Sequence, residues 1–311
     1  MKLLLQYVQK RLSLLSVKEE SSALAMRFHN SDPSPTQPSP GKPLRLAYGR
    51  EPLQFGELSL PGGSGPHPTV ILIHGGYWRA RYKLDLMDGL AEDLARRGVA
   101  AWNIEYRRVG DASGGWPGTF LDVARAADYL RVLAPTYALD LKRVVPVGHS
   151  AGGHLAFWLA GRSCIKEDVL QKAMNRSESE MNEITHSPLE LAGAISLAGV
   201  VDLDMAWRLH LSNDAVVGLL GGNPRKVPER YAVASPTALL PLGIPQVVIH
   251  GNEDENVPLE VSQAYVAAAR EAGDSVTYHE LGHVDHFDVI DPHTRAWAIT
   301  IDELRHLLGG K

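Results

Sequence analysis

A serine hydroxyl becomes a strong nucleophile only when a neighbouring base takes its proton and a third group holds that base in place. The stretch Val144-Val145-Pro146-Val147-Gly148-His149-Ser150-Ala151-Gly152-Gly153-His154-Leu155-Ala156 has the form such a serine needs. A β-branched apolar run enters a glycine-flanked serine and leaves into a helix-forming segment, the strand, tight turn and helix of a G-x-S-x-G nucleophile elbow. Ser150 is expected at the apex, on strained backbone. Gly148 and Gly152 would remove the Cβ atoms that collide where the helix passes the strand. The N–H of Ala151, the first helical residue, would then face an oxyanion formed at Ser150.

An acid and a base should follow downstream. Val247-Val248-Ile249-His250-Gly251-Asn252-Glu253-Asp254 reads as a buried strand running into an acidic loop. Asp254 falls where that loop leaves the strand's C-terminal edge, the edge along which open α/β sheets collect their functional groups. Asp202 and Asp204, after the apolar run Ala192–Ala198, are the alternative acids, while Glu253 and Glu255 read as solvated loop charges. The segment Tyr278-His279-Glu280-Leu281-Gly282-His283-Val284-Asp285-His286-Phe287-Asp288 supplies two loop histidines, His283 and His286, either of which could meet Ser150. Upstream, Val70-Ile71-Leu72-Ile73-His74-Gly75-Gly76-Tyr77-Trp78 ends a strand in two glycines, so Gly75 or Gly76 could give the second oxyanion-hole N–H. Tyr77 and Trp78 read as pocket wall or core. His74, His149, His154 and His250 border the motifs and read as groups that satisfy backbone partners or line the pocket. His279-Glu280-Leu281-Gly282-His283 matches the H-E-x-x-H zinc signature, which works only on a helix. Strand-like residues precede it, and strand positions four apart are about 13 Å apart, so no metal is expected.

Positioning these groups requires alternating strands and helices. Strands are expected at Leu44–Tyr48, Leu53–Leu60, Thr69–Ile73, Val99–Tyr106, Arg143–Val147, Ala192–Ala198, Gln246–His250 and Ser275–Glu280. Helices are expected at Leu84–Arg97, Thr119–Leu133, Ala151–Gly161, Leu259–Ala272 and His293–Leu308. That alternation predicts an α/β fold with a mostly parallel sheet covered on both faces. Two stretches interrupt it. The polar segment at about 164–190 reads as an exposed insertion, and the excursion at about 202–243 as a pocket-shaping one. Asp122 and Asp128, on a predicted helix, read as ordinary surface charges. Residues 1–20 place Leu4, Leu5, Val8, Leu12 and Leu15 on one helical face, and the proline-rich run Ser31–Gly41 reads as a linker. This makes 1–43 a leader and 44–311 the functional domain.

A net charge of −5 without a long basic run argues against nucleic-acid binding. The single cysteine, Cys164, excludes an intramolecular disulfide. No apolar run reaches the roughly 18 residues of a membrane span, and Gln6, Gln9, Lys10 and Arg11 interrupt a secretory h-region. A cytoplasmic protein without stable membrane insertion is therefore expected.

From about Leu44 onward the chain resembles the α/β-hydrolase superfamily. His74-Gly75-Gly76-Tyr77-Trp78, Gly148-His149-Ser150-Ala151-Gly152-Gly153-His154-Leu155 and Asp285-His286-Phe287-Asp288 are similar to motifs of the kynurenine formamidase (arylformamidase) and carboxylesterase branch. The order Ser, Asp, His is that of the superfamily. The resemblance implies a triad of Ser150, Asp254 and His286, with His283 secondary. It implies an oxyanion hole of Gly75, Gly76 and Ala151, with Tyr77, Trp78 and His149 as pocket candidates. It further implies hydrolysis of a small-molecule ester or aryl formamide through an acyl-enzyme, without cofactor. A peptidase similar to prolyl oligopeptidases and a non-catalytic binder of the same fold are the alternatives.

Overall fold

The computed structural model describes residues 41–174 and 178–309. The amphipathic leader and most of the proline-rich linker lie outside the described residues. Eight strands join in one sheet: β1 (Leu44–Ala47), β2 (Phe55–Ser59), β3 (His67–Ile73), β4 (Ala100–Ile104), β5 (Leu139–His149), β6 (Ala194–Leu197), β7 (Gln246–Gly251) and β8 (Val276–Leu281). Their order is β1-β2-β4-β3-β5-β6-β7-β8. β2 runs antiparallel to β1 and β4, and every other pairing is parallel. Each expected strand is present. β5 begins earlier than the apolar run alone suggests, because Leu139 pairs with His67 before a register shift ahead of Thr69.

Successive strand residues point to opposite faces, and here both faces are covered, which accounts for the unbroken apolar runs. Val70, Leu72, Val145, Val147, Ile195, Leu197, Val247 and Ile249 form one buried layer. Against it pack Leu90, Ala91 and Leu94 of α1 (Asp88–Arg96), and Ala296, Trp297, Ile301 and Leu304 of the C-terminal helix Arg295–Leu307. Ile71, Ile73, Trp102, Val144 and Val248 face the other way. They meet α2 (Gly118–Asp128), followed by α3 (Leu130–Tyr137), and also α4 (Ala151–Ala160) and the helix Leu259–Glu271. The helix expected over Thr119–Leu133 is thus two helices meeting at Tyr129.

Three expectations need correction. The segment at 164–190 is not simply exposed: α5 (Glu167–Met174) and α6 (Glu178–Thr185) bury Leu170, Ala173, Met174 and Ile184. Leu170, Ala173 and Met174 recur at helical spacing, a stripe that the polar residues around it conceal. Asp122 is fully buried, accepting hydrogen bonds from the Arg107 guanidinium at 2.7 Å and from Gln54 at 2.7 Å. Asp128 ties the insertion to the core, accepting from the buried Arg162 at 2.8 Å and the Leu189 N–H at 2.8 Å. The excursion carries α7 (Leu203–Arg208), α8 (Ala215–Leu220) and α9 (Pro228–Ala234) between β6 and β7. In the remaining order, Leu259–Glu271 is α10 and Arg295–Leu307 is α11. No helix of the described residues is long and apolar enough to cross a membrane.

One surface carboxylate is electrostatically misplaced. Partial burial, with Glu57, Asp85 and Glu92 nearby, raises Asp88 to about 6. The folded chain therefore binds this proton more tightly than the unfolded chain, so the site stabilises the fold below the ordinary aspartate range and loses that contribution as pH rises through about 6. Asp88→Asn should raise Tm at pH 8 by on the order of 2 °C and leave it unchanged near pH 4, measured by thermal denaturation at both pH values.

Candidate active site

β5 ends at His149 and α4 begins at Ala151, leaving Ser150 alone between them at φ 56° and ψ −118°. That conformation costs a side-chain-bearing residue about 1–3 kcal/mol and survives only where its surroundings hold it. The Ser150 N–H donates to Leu197 of β6 at 2.8 Å, and its carbonyl accepts from Val200 at 3.2 Å. A Cβ on Gly148 would fall on the Gly152 carbonyl, and one on Gly152 would strike the carbonyl of Ile73. The two glycines therefore permit the contact between strand and helix that the motif requires. As a first-turn amide, the Ala151 N–H has no acceptor within α4.

The loop after β7 carries the acid. Oδ1 of Asp254 accepts from the N–H groups of Asn256 and Val257, each at 2.8 Å. Its Oδ2 meets His286 Nδ1 at 2.6 Å and His250 Nε2 at 3.0 Å. The carboxylate side chain is only 1% exposed, and burial by itself would raise its pKa. The hydrogen bonds from His250 and His286 outweigh burial and hold it far below the usual carboxylate range. With Nδ1 of His286 donating to Asp254, the neutral ring keeps its proton there, which leaves Nε2 as the basic lone pair.

His286 lies against the elbow. Its backbone carbonyl meets His149 Nε2 at 2.8 Å, and the two rings are 4.6 Å apart. His149 is itself buried. Burial and the neighbouring His286 push it down to about 3, so it stays neutral beside the serine.

The alternative groups are engaged elsewhere. Asp202 caps α7 through the Met205 N–H at 2.9 Å, and Asp204 pairs with Arg208. His283 is 94% exposed and contacts Glu253 at 2.8 Å. His279 lies on β8 and contacts Glu303 at 2.7 Å, so the two zinc-motif histidines are committed to different carboxylates.

The loop after β3 closes the other side. Gly76, Tyr77 and Trp78 all take positive φ, at 111°, 51° and 55°. The half-buried Tyr77 donates to the Asn256 carbonyl at 2.5 Å, linking this loop to the acid loop. Trp78 is core rather than pocket wall, 1% exposed and donating to His154 Nδ1 at 3.1 Å. Gly75 packs on the elbow: a Cβ there would come 2.9 Å from the Ser150 Cβ and 2.8 Å from the His149 carbonyl. Two groups escape a reading of the sequence, namely His250 as a partner of Asp254, and Glu105, whose side chain meets His74 at 3.0 Å. The first is signalled by a histidine closing a buried strand. The second needs the pairing of β3 with β4, which no local pattern shows.

The chain is similar to proteins of known kind. It is 25% identical over 78% of its length to the Arabidopsis thaliana protein named "Probable isoprenylcysteine alpha-carbonyl methylesterase ICMEL1", covering 51% of that protein. It is 29% identical over 71% of its length to Esterase LipQ of Mycobacterium tuberculosis, covering 51% of it. It thus spans about half the length of these two relatives. Kynurenine formamidase of Danio rerio is 23% identical over 80% of the chain and is covered to 75%. Among solved structures, Esterase B from Lactobacillus Rhamnosis superposes with a TM-score of 0.71 at 20% identity, over 97% of this chain and 93% of the other. These likenesses establish the α/β-hydrolase fold. Residues 58–268 match the BD-FAE family model, which is more than half of the 311 residues, and the chain belongs to that family.

Proposed function

We propose that this chain is a carboxylic ester hydrolase that works through an acyl-enzyme on Ser150. The observation that carries the reading is the buried 2.6 Å hydrogen bond between Asp254 and His286, beside the strained turn that holds the serine. Ser150 Oγ attacks the ester carbonyl carbon while His286 Nε2 takes its proton, and Asp254 keeps the ring in the required tautomer. The N–H groups of Ala151 and of Gly75 or Gly76 receive the developing oxyanion. The imidazolium then protonates the departing alkoxide. Water repeats the sequence on the acyl-enzyme and frees the acid. The esterase relatives support the ester class.

Aryl formamides form the second substrate class, favoured by the formamidase relative, three-quarters of which the chain spans. Formyl transfer to Ser150 uses the same steps with an amine as leaving group. A small-molecule substrate and a soluble, cytoplasmic setting complete the proposal.

Ser150→Ala should lower turnover of p-nitrophenyl acetate about 10⁴-fold or more with Tm unchanged. A variant as fast as the parent would remove Ser150 from the mechanism. Asp254→Asn should cost about 10⁴-fold in kcat, since an amide disturbs the tautomer without removing bulk. Because the Asp254 carboxyl is held far below its ordinary range, its stabilising charge is present at neutral pH and lost only in strong acid. Lowering the pH from about 7 to 5 should therefore leave this charge in place, and no unfolding should accompany it when followed by far-UV circular dichroism. Comparing N-formylkynurenine with short p-nitrophenyl esters separates the two substrate classes.

A further inference from the structure

We propose that His74 and Glu105 form a positioning pair that locks the Gly75–Gly76 peptide, and that His74 does so as a buried imidazolium behind the oxyanion hole. This rests on the acyl-enzyme reading above. A peptide between two glycines is the easiest in a chain to flip, since neither neighbour has a Cβ to resist rotation. The cis peptides of the described residues all precede proline, so the Gly75–Gly76 bond is trans and its C=O and N–H point in opposite directions. With the Gly76 N–H as the second oxyanion-hole donor, a flip would present a carbonyl oxygen in its place.

The lock is visible in the contacts. His74 Nδ1 meets the Gly75 carbonyl at 2.8 Å, and because a carbonyl can only accept, Nδ1 must donate. His74 Nε2 meets Glu105 Oε1 at 3.0 Å. Glu105 also accepts from the Tyr106 N–H at 3.1 Å and the Leu84 N–H at 3.3 Å. Oε1 of Glu105, the oxygen that meets His74, thus takes the Tyr106 N–H and also lies 3.2 Å from the Arg108 guanidinium, which leaves no place on it for a carboxyl proton. His74 Nε2 must then donate to it, and both ring nitrogens carry a proton.

The surrounding charges agree. Arg108 contacts Glu105 at 3.2 Å and Asp111 at 3.1 Å, and the side chains of His74, Glu105 and Arg108 are at most 2% exposed. Glu105 shares this guanidinium with Asp111, whose side chain is still 19% exposed, so the fully buried carboxylate gains from a second cation at His74. Tyr106 completes the enclosure, stacked on the His74 ring at 4.4 Å with its hydroxyl donating to the His74 carbonyl at 2.8 Å. The cation sits one peptide unit behind the site where negative charge develops, in surroundings that screen it little.

The first test reads the parent protein directly. With ¹⁵N-labelled histidine, one imidazole should show two protonated ring nitrogens at pH 7.5, and its signals should be missing from the spectrum of His74→Asn. A neutral His74 ring in the folded parent overturns the proposal, and this result depends on no variant's activity. The second test is kinetic. His74→Phe, which loses both donor and charge, should lower kcat for p-nitrophenyl acetate about 10²–10³-fold with KM within about threefold. His74→Asn keeps a donor for the Gly75 carbonyl without the charge, and should recover about tenfold of that loss. Glu105→Gln should lower kcat about tenfold or more and return the ring to one protonated nitrogen. Full kcat in His74→Phe, with Ser150→Ala inactive, overturns the lock alone. Full activity in Ser150→Ala instead overturns the acyl-enzyme reading, while the spectrum still decides the state of His74.

Discussion

Ser150 occupies backbone that residues with side chains rarely adopt, and keeping it there constrains everything within contact of it. The turn exists only because β5, α4 and the end of β3 approach more closely than Cβ atoms would allow, with Gly148 and Gly152 at the contacts. Opposing that strain is the burial of α4, all ten of whose residues are buried. A helix enclosed on every side is apolar on every side, and its few polar groups must find fixed partners. His154 contacts the Ala234 carbonyl at 2.8 Å, and Trp158 donates to Val233 at 3.0 Å, fastening α4 to the excursion between β6 and β7. The excursion therefore supports the helix behind the serine.

Carboxylates in the interior follow one rule, that each is surrounded by donors before it is surrounded by hydrocarbon. Asp254 receives two backbone N–H groups and two imidazoles. Asp122 receives both the backbone N–H and the guanidinium of Arg107. Glu105 belongs to a set that includes Arg108, Asp111 and His74. Paired and hydrogen-bonded charges of this kind add little net stability, but losing one partner leaves the other stranded. Their value lies in geometry. Each fixes a loop at the C-terminal edge of the sheet, where small displacements would separate the groups of the proposed site.

Most of the architecture is legible in residue order because the central strands are buried on both faces. Uninterrupted apolar runs such as Val70–Ile73 and Val247–Ile249 suit a strand covered above and below, where no position along it meets water. The elbow is equally legible, since Gly148 and Gly152 occupy positions that tolerate nothing larger. Asp122 resembles a surface charge in sequence because its partner, Arg107, lies 15 residues away on the far side of a turn, and a helical pattern alone cannot reveal it. α5 and α6 are hidden by composition: a few inward residues among many charged ones look like a solvated segment until the opposing surface is known. Glu105 reaches His74 through the pairing of β3 with β4, which is set by sheet order, whereas His250 meets Asp254 only four residues on, across the turn that ends β7.

The sheet order has a temporal side. Ser150 follows a central strand, whereas Asp254 and His286 follow the last two strands at one margin, more than a hundred residues further along the chain. A polypeptide leaving the ribosome can form β3, β4 and β5 with the helices between them long before its final strand exists. Parallel pairing over such separations is slow, because loop closure must come before any contact repays it. The proposed triad is consequently among the last things the chain completes. On the proposed mechanism, an incompletely synthesised copy would carry a serine already bent into its turn but no base to activate it, and would remain chemically silent until synthesis had ended.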